Sequence, residues 1–414
     1  MSLYDPLPTV TIGGVAYTSD TINGIQTTSG RNTVDEQPRA GYATISLIIT
    51  DGSYPAITLN EPVVVAILDS AQANHTNVFY GYVTDVQRTI QQHGTAGTAV
   101  QIDVTVAGPI SRLARILTAA SYPKEFDGDR VLQILSDYEA TDWTEVNPLL
   151  TWAAVDPTKT WATYDPAFVG TVDTPGSYEI TDYSGGAVSA ISHINAVATS
   201  ALGVLWESAD GLVNYSDAAS RLTDVANNGF LEVDSDYIGG VGLSARSSLG
   251  DLINDIRVTY KNNQVRTGTD PVSIATWGQF VAQKDTLLEN LADADDMVDL
   301  YLTTRAYPRN SLQSVTIPLH NSALPNQLRD DLIGITVGKP ITIPNIPSSI
   351  YQGPFFGFVE GISFTVARKA AAVTLYVSEY ALSQIEMAWQ QVDAAETWNT
   401  ITATLTWENA TVVG

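Results

Sequence analysis

The sequence predicts a β-rich α+β fold in which one block of strands occurs twice. Charged residues make up only 16% of the 414 residues, below the roughly 25% that is typical of globular domains. Runs of alternating apolar and polar residues, the pattern of a half-buried strand, recur along the chain. Two distant stretches also repeat the same order of such runs and loops, so we expect a duplicated sheet structure.

The first block begins near Pro62 and the second near Pro340. The first reads EPVVVAIL, NVFYGYVTDVQRTI and TAVQIDVTVAGPISRL, with a loop after each of the first two runs. The second reads GKPITIPNI, QGPFFGFVEGISFTV and AAVTLYVSEYALSQI. Upstream, YATISLIIT (42–50) corresponds loosely to QSVTIPLHN (313–321). Four matched segments in one order favour two related β-barrels over a chance likeness between hairpins.

Each block carries an aromatic-Gly-aromatic-Val step. Gly81 lies in Tyr80-Gly81-Tyr82-Val83, and Gly357 lies in Phe356-Gly357-Phe358-Val359. Glycine allows close backbone approach and bending inside a strand. We therefore predict that Gly81 and Gly357 mark a bend in each barrel.

Helical and hairpin patterns separate the two blocks. Helical spacing over 126–138, with Asp127 as the N-cap, predicts one helix, and 187–201 predicts another. Asp210-Gly211 between two apolar runs predicts a hairpin, and a further helix is expected over 292–303. We accordingly expect four parts, which are a first barrel (1–120), an α+β insertion with the first tryptophan series (121–245), a second barrel (246–385) and a short tryptophan-repeat tail (386–414).

Six of the eight tryptophans form two series with a nine-residue step. They are Trp143, Trp152, Trp161, Trp389, Trp398 and Trp407. Three uses are open: completing a neighbouring core, docking onto a partner, or stacking on sugars. Regularly spaced indoles offer a large apolar area at low entropy cost, as partner anchors do. The tail that carries the second series is too short to fold alone, so we expect it to pack on its own chain or on another subunit.

The formal net charge of −25 argues against specific nucleic-acid binding, because an acidic surface repels phosphates. The chain contains no cysteine, which excludes disulfides and thiolate chemistry. The start, MSLYDPLPTVTIGG, lacks the pattern of a signal peptide. No stretch approaches the roughly 18 uninterrupted apolar residues of a membrane span.

Catalytic and cofactor motifs are absent from the sequence. It contains no phosphate-binding loop, no H-E-x-x-H and no G-x-S-x-G. His193 follows helical spacing, and we expect a core or surface histidine there. The acidic run Asp293–Asp299 lacks the glycine and glutamate of a calcium loop, and acids at a helix N-terminus explain it better. We expect no enzyme activity, no cofactor and no metal.

The first block and its upstream segment resemble a known family. Gly30-Arg31, Ala43–Leu47, Asp51-Gly52 and Phe79–Val86 resemble elements in the N-terminal barrel of minor tail proteins of long-tailed, siphovirus-type bacteriophages, and more narrowly of baseplate hub proteins. The 202–215 hairpin and 248–262 resemble that group's insertion and second barrel.

The resemblance implies two tail-tube-like barrels in each chain. Three chains would then present six barrels and match a six-fold tail tube to a three-fold tip, around a channel for DNA. Expected partners are other copies of the chain (a trimer, or else a hexamer), the distal tail protein, the tape measure protein and other tail tip proteins. The expected location is the tail tip of the virion, after assembly in the cytoplasm of the host bacterium.

Two alternatives remain at the level of the sequence. One is the hexameric distal tail protein, which normally has one tube-like barrel, so that the second block argues against it. The other is a carbohydrate-binding or glycan-cleaving tail module that uses the tryptophans.

Overall fold

The computed structural model describes residues 4–94, 97–119, 121–145, 168–239, 242–261 and 263–383. The strands of the first block and its flank are β1 (Thr9–Ile12), β2 (Val15–Thr18), β3 (Ile22–Gly30), β4 (Arg39–Ile49), β5 (Pro62–Leu68), β6 (His75–Gln92) and β7 (Ala99–Ala107). Between the blocks lie β8 (Glu125–Phe126), β9 (Val169–Val172), β10 (Glu179–Ile180), β11 (Val204–Glu207), β12 (Val213–Ser216) and β13 (Leu231–Glu232). The remaining strands are β14 (Leu243–Arg246), β15 (Asp255–Tyr260), β16 (Gln264–Thr269), β17 (Val281–Asp285), β18 (Ser311–Pro318), β19 (Pro340–Ile343), β20 (Phe355–Ala367) and β21 (Ala370–Glu379).

Seven α-helices are described. They are α1 (Ile110–Leu113), α2 (Asp127–Glu145), α3 (Ala190–Ser200), α4 (Ser220–Asn228), α5 (Pro271–Trp277), α6 (Leu291–Arg305) and α7 (Asn326–Ile333). The predicted helices at 126–138, 187–201 and 292–303 correspond to α2, α3 and α6, and the predicted hairpin is β11–β12. No helix in the described ranges is long and apolar enough to cross a membrane.

The two predicted blocks pair their strands in the same order. The first runs β3-β4-β7-β6-β5, and the second runs β14-β18-β21-β20-β19. Pro62 lies opposite Tyr82 and Val63 opposite Gly81, as Pro340 lies opposite Phe358 and Ile341 opposite Gly357. The pairing register then shifts after Val83 in β6 and after Val359 in β20. Matching order, register and bulge position show that the two blocks have the same local architecture.

The described residues confirm the predicted β-rich fold, but they do not show the two related β-barrels as closed barrels. They contain no closed barrel, and both blocks belong to one open, 13-stranded sheet. The merger occurs because β20 extends past β19, so that its free edge pairs with β3 of the first block. The two blocks also share one apolar core, which contains Ile45, Val104, Val359 and Leu375.

The upstream correspondence is offset by one residue from the sequence prediction. Ile45 lies opposite Val104, and the counterpart pair in the second block is Val315 and Leu375. Ile45 therefore corresponds to Val315, whereas aligning 42–50 with 313–321 matched it to Thr316. A side chain changes face with every one-residue slip, and only pairing with β21 decides the register.

The insertion between the blocks has its own apolar core. Helices α1 to α3 pack on the hairpin and share buried side chains such as Leu113, Leu135, Ile194 and Leu205. Asp127, predicted as the N-cap, is the first residue of α2, and its carboxylate accepts hydrogen bonds from Tyr178 N (2.8 Å) and the Tyr215 hydroxyl (2.6 Å). It therefore links the helix start to two other parts of the insertion.

A second, smaller unit interrupts the second block between β14 and β18. Strands β15, β16 and β17 form a three-stranded sheet, against which α6 packs through Met297 and Val298 to form a third core. This region lies within 246–385, the range predicted for the second barrel. The predicted boundaries of the four parts remain a proposal.

Candidate functional site: the junction between the two strand blocks

The blocks meet where β20 pairs with β3. Seven residues of β20, from Gly361 to Ala367, lie antiparallel to seven of β3, from Gly30 to Gly24. Inside the junction, the Ser363 hydroxyl donates to Thr27 O at 2.8 Å. We call this set of paired residues the block junction.

Two glycines face each other at one end of the block junction. A Cβ on Gly30 would lie 2.4 Å from Glu360 O, and one on Gly361 would lie 2.4 Å from Arg31 O. Gly30 also has a φ of +84°, in the region that favours glycine. Both positions therefore need glycine, because a side chain on either would push the strands apart.

Glu360 lies beside the glycines and is fully buried. It is the extra residue at the β20 bulge, and bulges commonly redirect a side chain. Its carboxylate accepts from Arg31 Nε at 2.6 Å, from Arg221 Nη1 at 2.7 Å and Nη2 at 2.9 Å, and from the Ser378 hydroxyl. These four residues, the Glu360 cluster, unite β20, β21, α4 and the segment after β3.

The electrostatics favour an ionised Glu360. Burial opposes its ionisation, but the charges and hydrogen bonds of Arg221 and Arg31 outweigh burial and hold the pKa of the carboxyl well below its ordinary range. Breaking such a buried pair leaves an uncompensated charge. The arrangement consequently fixes the geometry of the block junction.

A second carboxylate, which belongs to a half-buried glutamate, ties the insertion to the first block. Glu207, at the end of β11, accepts from Gly41 N at 2.8 Å and from Ile110 N at 2.6 Å. Burial raises the pKa of Glu207 to about 7, although both hydrogen bonds oppose this rise. A Cβ on Gly108 would lie 2.2 Å from the Glu207 carboxylate, so this anchor also depends on glycine.

Gly81 and Gly357 occupy equivalent positions, three residues before the extra residue of each shared bulge. A Cβ on Gly81 would lie 2.6 Å from Ala107 O, and one on Gly357 would lie 2.0 Å from Ser378 O. Those two carbonyls are themselves counterparts, because Ala107 pairs with Tyr82 and Ser378 with Phe358. Close approach to the neighbouring strand explains both glycines, and their role as bend points remains a proposal.

The tryptophan series lie outside the described residues or, for Trp143, outside the described side chains. The predicted partner-docking role of Trp143, Trp152, Trp161, Trp389, Trp398 and Trp407 stays a prediction. His193 is a buried histidine, packed between the rings of Tyr122 and Tyr183. Burial, and then the charge of Arg130, lower its pKa to about 4.

The acidic run lies at the start of α6, where Asp293 occupies the first turn. Within the described ranges, no group of three or more His, Asp or Glu side chains is placed to hold a metal ion. The Asn290 side chain donates to Asp293 at 3.2 Å, which is a local contact at the helix start.

Sequence reasoning did not identify Glu360 or Arg221 as site residues. Glu360 is the lone charged residue in the apolar run FFGFVEGISFTV, and a charge inside such a run is a signal for a buried ion pair. Arg31 did stand out within Gly30-Arg31. Nothing in the sequence pairs either arginine with Glu360, since 329 and 139 positions separate them from it.

No protein family model matches the sequence, and no curated protein sequence matches it. Solved structures do match in fold. The 43 kDa tail protein of prophage MuSo2 from Shewanella oneidensis aligns over 92% of this chain and 98% of its own, with a TM-score of 0.57 and 11% identity. The tail protein from Neisseria meningitidis MC58 aligns over 91% and 97%, with a TM-score of 0.58 and 12% identity.

A chain of a PdpA–VgrG complex also matches, over 93% of this chain and 67% of its own, with a TM-score of 0.51 and 10% identity. At these identities the likeness establishes a shared fold. The expected resemblance to phage tail proteins is therefore confirmed at the level of the fold.

Proposed function

We propose that this chain is a structural component of a phage tail tip. In this proposal it forms a hub ring that joins the six-fold tail tube to the three-fold tip and lines the DNA channel. The observation that carries the proposal is the duplicated block, with equal strand order and register, joined edge to edge within one chain. Each chain thereby supplies two successive, equivalent positions of a ring.

Ring closure follows from this geometry. A head-to-tail contact closes only when the rotation from one unit to the next divides a full turn. Two equivalent blocks in each chain allow three chains to present six blocks. The fold shared with two phage tail proteins, over nearly their whole lengths, supports the same assignment.

The charge suits a channel through which DNA passes. The sequence carries 45 acidic and 20 basic residues. An acidic wall repels phosphates, and so it does not retain the DNA that moves past it. We accordingly propose no specific nucleic-acid binding.

The buried charges suit a structural role and not a catalytic one. Glu360 is fully buried and held by two arginines, so it cannot reach a substrate. We propose that the chain is not an enzyme and that its partners are copies of itself, the distal tail protein, the tape measure protein and other tail tip proteins. Its place in the virion would then be the tail tip.

Electron cryomicroscopy of the purified full chain tests this proposal. We expect a ring with three-fold symmetry and pseudo-six-fold density. A true six-fold ring with one chain per position would contradict the hub and favour the distal tail protein. Tight binding to glycans by a monomer, abolished by replacing the tryptophans, would instead favour the carbohydrate-binding module.

A further inference from the structure

Strand β6 has a free edge where its counterpart in the second block is paired. Strand β20 pairs with β19 through Phe355–Phe358 and then with β3 through Gly361–Ala367. Strand β6 likewise pairs with β5 only as far as Tyr82. In the described part of the chain, residues 85–90 of β6 then pair on one side alone, with β7.

Solvent exposure differs between the equivalent positions. Because Tyr82 corresponds to Phe358 and the bulges coincide, Ile90 corresponds to Val366. Val366 is 1% exposed within the block junction, whereas Ile90 is 65% exposed. An unpaired strand edge with an exposed branched apolar residue is a template for pairing with another strand. The β6 edge therefore has the form of a block junction that lacks its second strand.

The matching strand is β14, the counterpart of β3. Ile25 of β3 lies opposite Ile45, and Leu243 of β14 lies opposite Val315, which corresponds to Ile45. Strand β14 ends the sheet, and its outer edge pairs with no strand among the described residues. The chain thus carries, at separate positions, both halves of a second block junction.

We propose that the β6 edge of one chain pairs antiparallel with β14 of a second copy, repeating the block junction between chains. In the block junction Val366 lies opposite Ile25 and Thr365 opposite Gln26. The intermolecular register therefore sets Ile90 opposite Leu243, and Thr89 opposite Ser244. The contact is head-to-tail, and a rotation per copy that divides a full turn closes successive copies into a ring. This proposal rests on the proposed hub ring and specifies the strands that close it.

One difference between equivalent positions makes the proposed contact between chains more polar than the block junction within the chain. Arg88 stands where the second block has the buried Phe364. Its guanidinium donates to Pro55 O at 3.2 Å and to Ile57 O at 3.4 Å and packs over the Tyr54 ring. Arg88 is thus partnered within its own chain through Nη2, whereas its buried Nε has no hydrogen-bond partner among the described residues.

Disulfide trapping tests the register directly, because the chain contains no cysteine. Thr89→Cys with Ser244→Cys places both thiols on the exposed face, and we expect cross-links between chains under mild oxidation. On a denaturing gel, the series of cross-linked species should end at the mass of the closed ring. Thr365→Cys with Gln26→Cys is the matched control, because it probes the existing block junction and should cross-link within one chain without a change of mass. Ile90→Cys with Ser244→Cys directs the thiols to opposite faces and should not cross-link.

A charge on the edge tests its contribution to assembly. We expect Ile90→Lys to weaken self-association at least about tenfold with an unchanged melting temperature, because Ile90 is exposed within the chain. Val265→Lys, at an exposed position of β16, is the matched control and should assemble normally.

The outcomes separate the two proposals. A three-fold ring in which Thr89→Cys and Ser244→Cys stay uncross-linked, or in which Ile90→Lys assembles as the parent does, overturns the strand pairing and leaves the hub ring intact. A chain that stays monomeric at all concentrations, without cross-links, overturns both.

Discussion

At the scale of single residues, the block junction depends on one buried charge, that of Glu360, which is paired with two arginines. Glu360 is held by Arg31 and Arg221, and both arginines come from segments far away in the chain. A bulge turns the glutamate inward, and glycines at positions 30 and 361 let the strands close around it. The cost of burying the charge is offset only when every partner is present.

We expect Glu360→Gln to destabilise the chain by about 3–5 kcal/mol, because it leaves two buried arginines without a counter-charge. The effect depends on pH. The pKa of Glu360 is lower in the folded than in the unfolded chain, so its stabilisation is complete above pH of about 5 and is lost as the pH falls.

Thermal melts from pH 3 to pH 7 measure this effect. The difference between parent and variant should shrink toward pH 3. Glu289→Gln is the control, because Glu289 pairs with a half-exposed lysine, Lys261, and such pairs contribute about 0–1 kcal/mol. An equal loss at every pH would contradict the assigned role of the Glu360 charge.

At the scale of elements, the two blocks are matched in strand order and differ in what covers their edges. Strands β6 and β20 each pair with a strand that begins at a proline, and each contains a closely approached glycine followed by a bulge. In the described part of the chain, only β20 has its outer half covered, by β3. This difference is expected if β20 makes its edge contact within the chain and β6 makes the equivalent contact with a second chain.

We expect Gly357→Ala to cost about 1–3 kcal/mol or more, because the added Cβ overpacks a backbone carbonyl. Gly81→Ala should cost less, since its Cβ meets Ala107 O at 2.6 Å and not at the 2.0 Å found for Gly357 and Ser378 O. Differential scanning calorimetry provides the comparison. Gly24→Ala, whose Cβ would meet Val366 O at 3.9 Å, should leave the melting temperature unchanged or slightly raised. Equal effects of all three changes would argue against close approach.

At the scale of the whole molecule, one large sheet carries two further units. The insertion is anchored through Glu207 to Gly41 and Ile110, and the β15–β17 sheet with α6 interrupts the second block. Among the described residues, three apolar cores hold these parts together, and each contains many fully buried side chains.

We therefore expect that removing residues 384–414 leaves a folded chain that no longer assembles correctly, because the cores remain and the tryptophans proposed for docking are lost. Circular dichroism and light scattering measure the two properties. Replacing Trp389, Trp398 and Trp407 with alanine in the full chain should reproduce the assembly defect. Normal assembly of the truncated chain would refute the docking proposal.

The sequence by itself determined the β-rich class, the repeat, the positions of three helices and the 204–216 hairpin. Those features depend on local periodicity and turn residues, which can be recognised directly in the sequence. Only the tertiary structure decided that the blocks merge into one sheet, that Ile45 corresponds to Val315, and that Glu360 meets two distant arginines. Strand edges and buried charges acquire partners through space, and the energy of such contacts depends on neighbours that sequence order does not specify.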